Sequence, residues 1–182
     1  MVRVRRRGAA IGTLVLCAWL GLTACTPGEA TPTPTPTGFT SEEEAFAAAE
    51  ATYRAYVDAL NRVDLSDPAT FEDVYAWTTG DALSEEKRGL SEMRANGWSV
   101  SGSSSVVSVT PESYSGGTGR GDLIACLDVS AVQLVDAGGK SQVSPERPDV
   151  QTIHVAFRFD DGSPTGALLT SLGPFDGQSP CT

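Results

Sequence analysis

The 182-residue sequence predicts an α+β fold, with three N-terminal helices packed on one face of an antiparallel sheet. Helix-start signals and 3.6-residue apolar spacing are confined to residues 41–95. Beyond Gly97 the pattern changes to alternating strands separated by turn clusters. No helical pattern interrupts those strands, so they read as a meander.

Ser41-Glu42-Glu43-Glu44 is a capping box: the serine caps the first free amides, Glu44 reaches back, and the acidic first turn suits the helix dipole. Behind it Phe46, Ala49, Tyr53, Tyr56, Val57 and Leu60 recur at helical spacing, which predicts one amphipathic helix over 41–62. Asp67-Pro68 starts a second, short helix over 69–77, with Phe71, Val74 and Tyr75. A third runs over 81–95, with Leu83, Leu90 and Met93 inward and Asn96-Gly97 as its stop.

Residues 98–109 read as one irregular strand or two short ones, and the glycine-rich stretch 113–121 as a loop. Residues 122–135 form a strand, 136–140 a turn, 150–160 another strand, and 166–172 the last. Matching the apolar faces of the two best strands sets odd residues against odd. Leu123, Ala125 and Leu127 then face inward with Ile153, Val155 and Phe157, and Asp128, His154 and Arg158 share the outer face. Asp128 and His154 could be neighbours there, but they would face away from any enclosed cavity. A solvated cross-strand polar set is the simpler reading.

The N-terminus carries an address. Arg3, Arg5, Arg6 and Arg7 precede an apolar run over 9–22 that is short for a membrane span and has no polar stop. It ends in Leu22-Thr23-Ala24-Cys25, which resembles a bacterial lipobox, a resemblance that implies acylation of the Cys25 thiol and cleavage just before it. The paired arginines also admit a twin-arginine route; general secretion fits better. Residues 1–24 are thus expected to be a lipoprotein signal peptide, and 25–40 a lipidated Thr/Pro-rich stalk. One globular domain is expected over 41–182, on the extracytoplasmic face of the cell membrane. Alternating prolines in 31–37 favour an extended chain that cannot form a core. From Thr26 to Gly38 it could reach roughly 40 Å at about 3.1 Å per residue.

Thirteen basic and 23 acidic residues give a net charge of −10, and loss of four arginines with the signal deepens it to −14. Such a balance speaks against nucleic acid and would hold the domain off an anionic leaflet. A single histidine excludes His-rich metal sites. Cys17 leaves with the signal and Cys25 is acylated, so Cys126 and Cys181 are the two left to pair in an oxidising compartment. A metal or redox role for them would need a Cys-x-x-Cys or a ligand cluster, and neither is present.

The order of a long helix ending near Arg62, two shorter helices and three or four long strands resembles the nuclear-transport-factor-two-like superfamily. That resemblance covers about 41–175 and implies a cystatin-like cone. Enzymes of that superfamily, such as isomerases and cyclases, hold a carboxylate or histidine between sheet and helices, and no such proton carrier is evident here. Its outer sheet face can also be a homodimer interface. The aromatic residues Tyr53, Tyr56, Trp77 and Trp98 are the candidate lining of a pocket for a small apolar ligand. The expectation is therefore a non-catalytic binding or accessory module, without cofactor or metal. Its partners would be the membrane through the lipid, and another envelope protein or a small apolar ligand. The competing class is an isomerase, dehydratase or cyclase. Arg120-Gly121-Asp122 matches an adhesion tripeptide by chance, and the Glu42–Glu44 and Glu85–Glu86 clusters read as solvated helix faces.

Overall fold

The computed structural model describes residues 38–181. The expected signal peptide, the lipobox-like segment with Cys25, and the expected stalk up to Thr37 lie outside the described residues.

Helix α1 spans Glu42–Leu60, capped as its sequence dictates: the Ser41 hydroxyl accepts the Glu44 amide at 3.1 Å. The Glu44 carboxylate reaches one residue further back than a standard box, to the Thr40 amide at 2.8 Å and the Thr40 hydroxyl. A 3₁₀ turn over Pro68–Phe71, with Asp67 accepting the Ala69 amide, leads into the short helix α2, Glu72–Tyr75. Helix α3 spans Gly80–Ala95.

The strands form two sheets. β2 (Ser105–Ser115), β3 (Arg120–Asp128), β5 (Val150–Phe159) and β6 (Ala167–Pro174) make an antiparallel four-stranded sheet in that order. β1 (Ser99–Ser101) and β4 (Gln133–Val135) pair separately. The helices pack on the inner face of the curved main sheet, giving the α+β cone. The α2–α3 link covers the free edge of β6, where the Thr79 amide donates to the Leu169 carbonyl and the Leu169 amide to the Trp77 carbonyl.

The odd-with-odd register holds: Leu123 pairs with Val155 and Ala125 with Ile153. Leu123, Ala125, Val155 and Phe157 are buried against Ala45, Ala49, Tyr53 and Val57 of α1. Each large apolar side chain so buried contributes about 1.5–3 kcal/mol.

Three boundaries differ from expectation. The loop read over 113–121 shrinks to a turn at 116–119, because β2 and β3 extend the hairpin to pair Tyr114 with Gly121 and Ser115 with Arg120. The single strand expected over 122–135 is two: Asp128 accepts the Ser130 amide at 2.8 Å and the Val132 amide bonds to Val129, turning the chain between β3 and β4. Finally, the folded unit includes Phe39 and Thr40, assigned above to the stalk. The Phe39 ring stands 5.2 Å from that of Phe159.

Gly121 has a structural reason to be glycine. A Cβ there would lie 2.5 Å from the Ser113 carbonyl oxygen and 2.7 Å from the Phe157 ring, which crosses β3 at this point.

Candidate functional site

A cleft of about 520 Å³ opens between the C-terminal half of α1 and one end of the sheet. Tyr53, Tyr56 and Leu60 form the α1 wall, placed there by their three- and four-residue spacing. Leu127 at the end of β3, Ile153 near the start of β5 and Leu172 on β6 form the opposite wall. Pro148 and Pro174 flank it, and no lining residue carries a charge.

The polar groups on these walls are mostly committed. The Tyr56 hydroxyl donates to Glu86 Oε1 on α3 at 2.5 Å. The Thr152 hydroxyl is 2.6 Å from that of Ser179 and 3.2 Å from Cys181 Sγ, both in the C-terminal tail. Gln151, opposite Leu127, is half-buried. The Tyr53 side chain is 1% exposed, and its hydroxyl, at the cleft wall, has no hydrogen-bond partner among the described residues. Burial alone pushes the Tyr53 phenol far above its ordinary range. The Tyr56 phenol is raised as well, by burial first and then by the charge of Glu86.

Of the four aromatic residues expected to share a pocket, Tyr53 and Tyr56 line the cleft, and Trp77 and Trp98 do not. Trp77 is held where α2 meets β6, by the bond from the Leu169 amide to its carbonyl. Trp98, after the α3 stop, stands beside Leu65 and Ser66 on a separate depression.

Glu86 is the site-adjacent residue that sequence reasoning misses. Its place beside Glu85 suggests a solvated helix face, yet it is half-buried. Burial first, then Glu85, raises its carboxyl above the ordinary range against the pull of the Tyr56 hydrogen bond. The signal is present in the helix phase: Ala82, Glu86 and Leu90 recur every four residues, and Ala82 and Leu90 are buried.

On the outer face, His154 and Asp128 point away from the cleft but are not partners. His154 Nε2 lies 3.3 Å from Asp122 Oδ1 and 3.4 Å from Glu112 Oε2. Asp128 pairs with Val150, further along the sheet, and its carboxylate is held below the usual range by the Ser130 hydrogen bonds. A bulge between Pro111 and Ser113 adds Glu112 to this face, where sequence alternation could not foresee it. Arg158 turns instead to Asp160 at 2.8 Å. Cys126 and Cys181 lie at disulfide distance on the same face, with Cα atoms 5.5 Å apart. No helix among the described residues is long and apolar enough to cross a membrane.

No protein-family model matches the sequence, and no curated protein does. Solved structures with some similarity to this chain include the following. A candidate aromatic ring hydroxylase from Novosphingobium aromaticivorans is 13% identical over 74% of this chain and 95% of its own, with a TM-score of 0.49. A TrwG component of a type IV secretion system from Bartonella birtlesii is 14% identical over 69% and 90%, at 0.44. The Agrobacterium tumefaciens VirB8 protein is 13% identical over 75% and 94%, at 0.42. At such values none of the three bears on this chain's activity or partners.

Proposed function

We propose that this chain is a lipid-anchored envelope protein, carried on Cys25 and a Thr/Pro-rich stalk, whose cystatin-like domain of the nuclear-transport-factor-two-like kind is a non-catalytic binding module. The cleft between α1 and the β3, β5 and β6 ends is its binding site. The observation that carries this reading is a concave, uncharged surface of about 520 Å³ on an otherwise acid-rich chain, within the range of about 300–1,000 Å³ typical of small-molecule sites. The Cys126–Cys181 pair is its structural disulfide. A second envelope protein, or a second copy of this chain, is accommodated on the polar outer face. The test is native mass spectrometry of the whole chain purified from its own membrane. A co-purifying small molecule that Leu127→Trp displaces supports the reading, and an empty domain under the same conditions counts against it.

One observation favours the enzymatic alternative. The Tyr56–Glu86 pair sets a half-buried carboxyl behind a cleft-wall phenol, which is the kind of group an isomerase, dehydratase or cyclase uses to move a proton. Turnover of a bound ligand that Glu86→Gln abolishes, without loss of binding, would decide for it.

A further inference from the structure

We infer that the cleft selects an uncharged, largely apolar ligand bearing one hydrogen-bond acceptor, a carbonyl or ether oxygen, which the Tyr53 hydroxyl receives. This rests on the cleft being a binding site, as proposed above, and adds which chemistry it takes.

Charge is excluded by the walls. An ion brought into this space would lose water and meet no opposite charge, since every lining residue is neutral. The donors narrow the choice further. Pro148 and Pro174 have no amide hydrogen to offer at the rim. Tyr56 spends its hydrogen on Glu86, and Thr152 is tied to Ser179 and Cys181. Gln151 stands on the opposite wall and is half-buried, so its amide keeps access to solvent. That leaves the Tyr53 hydroxyl, which opens onto the cleft from a side chain otherwise buried, as the one donor on the α1 wall without a protein acceptor among the described residues. A ligand whose apolar body fills the cleft would bury this donor, so one that supplies the acceptor gains over one that does not. Tyr53 and Tyr56, with ring centres 6.1 Å apart, give the apolar body of that ligand an aromatic wall.

The experiment uses three naphthalene probes of similar ring size on the whole chain: prodan, neutral with one ketone; dimethylaminonaphthalene, which lacks the ketone; and anilinonaphthalene sulfonate, which is charged. Leu127→Trp and Leu172→Trp each fill the cleft and serve as blanks, their folding checked by circular dichroism. Prodan should bind with a blue-shifted emission that both tryptophan variants remove, and the sulfonate should bind at least about tenfold more weakly. Tyr53→Phe should weaken prodan roughly fivefold to tenfold and leave the ketone-free probe unchanged. Equal loss for both neutral probes in Tyr53→Phe, or a sulfonate that binds as tightly as prodan, overturns the inference while the cleft stands as a site. A prodan signal that survives both tryptophan variants, or no binding of any probe, overturns the cleft reading itself.

Discussion

Breaking the Cys126–Cys181 link is the perturbation with the largest calculable effect. The two cysteines are 55 residues apart in sequence, so their bond closes a loop that holds β4, β5 and β6, from near the end of β3 to the end of the described chain. Chain-entropy arguments put the stabilisation from a loop of that length at roughly 4 kcal/mol at 25 °C, by restricting the unfolded chain. Native-state losses should be small. Cys126 is buried and alanine fills most of its space, while Cys181 is half-buried in the tail and contributes one weak contact to Thr152. Urea unfolding of the Cys126→Ala, Cys181→Ser double variant against the oxidised wild type is the assay. The midpoint should fall, and the slope should rise, because the unlinked unfolded chain exposes more surface. In a thermal scan the same loss corresponds to roughly 8–16 °C for a domain of this size. Reduced wild type should coincide with the double variant. A stability change below about 1 kcal/mol, or two titratable thiols in the folded protein purified without reductant, would refute the reasoning.

Four further outcomes follow from particular residues. Gly121→Ala should destabilise by about 1–3 kcal/mol through overpacking, because Phe157 is 1% exposed and has nowhere to move. Gly89→Ala, on α3 with nothing within 4 Å of where the new methyl would sit, should instead stabilise by about 0.5–1 kcal/mol; thermal denaturation of the pair checks both signs. The folded state holds the Glu86 proton to higher pH than the unfolded chain, so this group's contribution to stability falls as pH rises above the ordinary glutamate value of 4.5. Glu86→Gln should therefore compare more favourably with wild type at pH 7 than at pH 4, and a difference that does not change with pH would contradict the burial argument. Intact mass of membrane-extracted protein should show acyl chains on Cys25, and Cys25→Ala should release the domain from the membrane; unmodified soluble wild type would refute the anchor.

Local signals were legible and long-range offsets were not. The Ser41 cap, the Asp67-Pro68 start and the α1 stripe depend on neighbours within four residues, and the structure has each of them in place. Alternation along β3 and β5 also gave the correct faces, because the side-chain period is two. Alternation does not say how far one strand slides along another by even steps. His154 therefore met Asp122 and Glu112 in place of Asp128. The glycine-rich stretch misled for a related reason. Its glycines suggested a loop, but of those four only Gly119 adopts a positive φ, and Gly121 is there to make room for Phe157 inside a strand. In the candidate site, the tyrosines were visible from helix spacing, whereas Trp77 and Trp98 stand at element ends whose direction no periodicity sets.

The cleft itself follows from how side-chain volume is distributed along one sheet. At the end where Gly121 pairs with Phe157, the space under α1 is filled by rings: Phe39, Phe46 and Tyr114 all stand within 6.5 Å of the Phe157 ring centre or of one another. At the other end the inward positions are Ala125, Leu127, Gln151 and Ile153, which are smaller, while α1 runs on above them to Leu60. The same two layers thus close at one end and stay apart at the other. Burial of the aromatic end supplies the apolar contacts that hold the layers, so the open end is free of that task. Its emptiness is consequently a property of a few side chains. That is why a single larger residue at Leu127 or Leu172 is enough to distinguish a site from a packing gap.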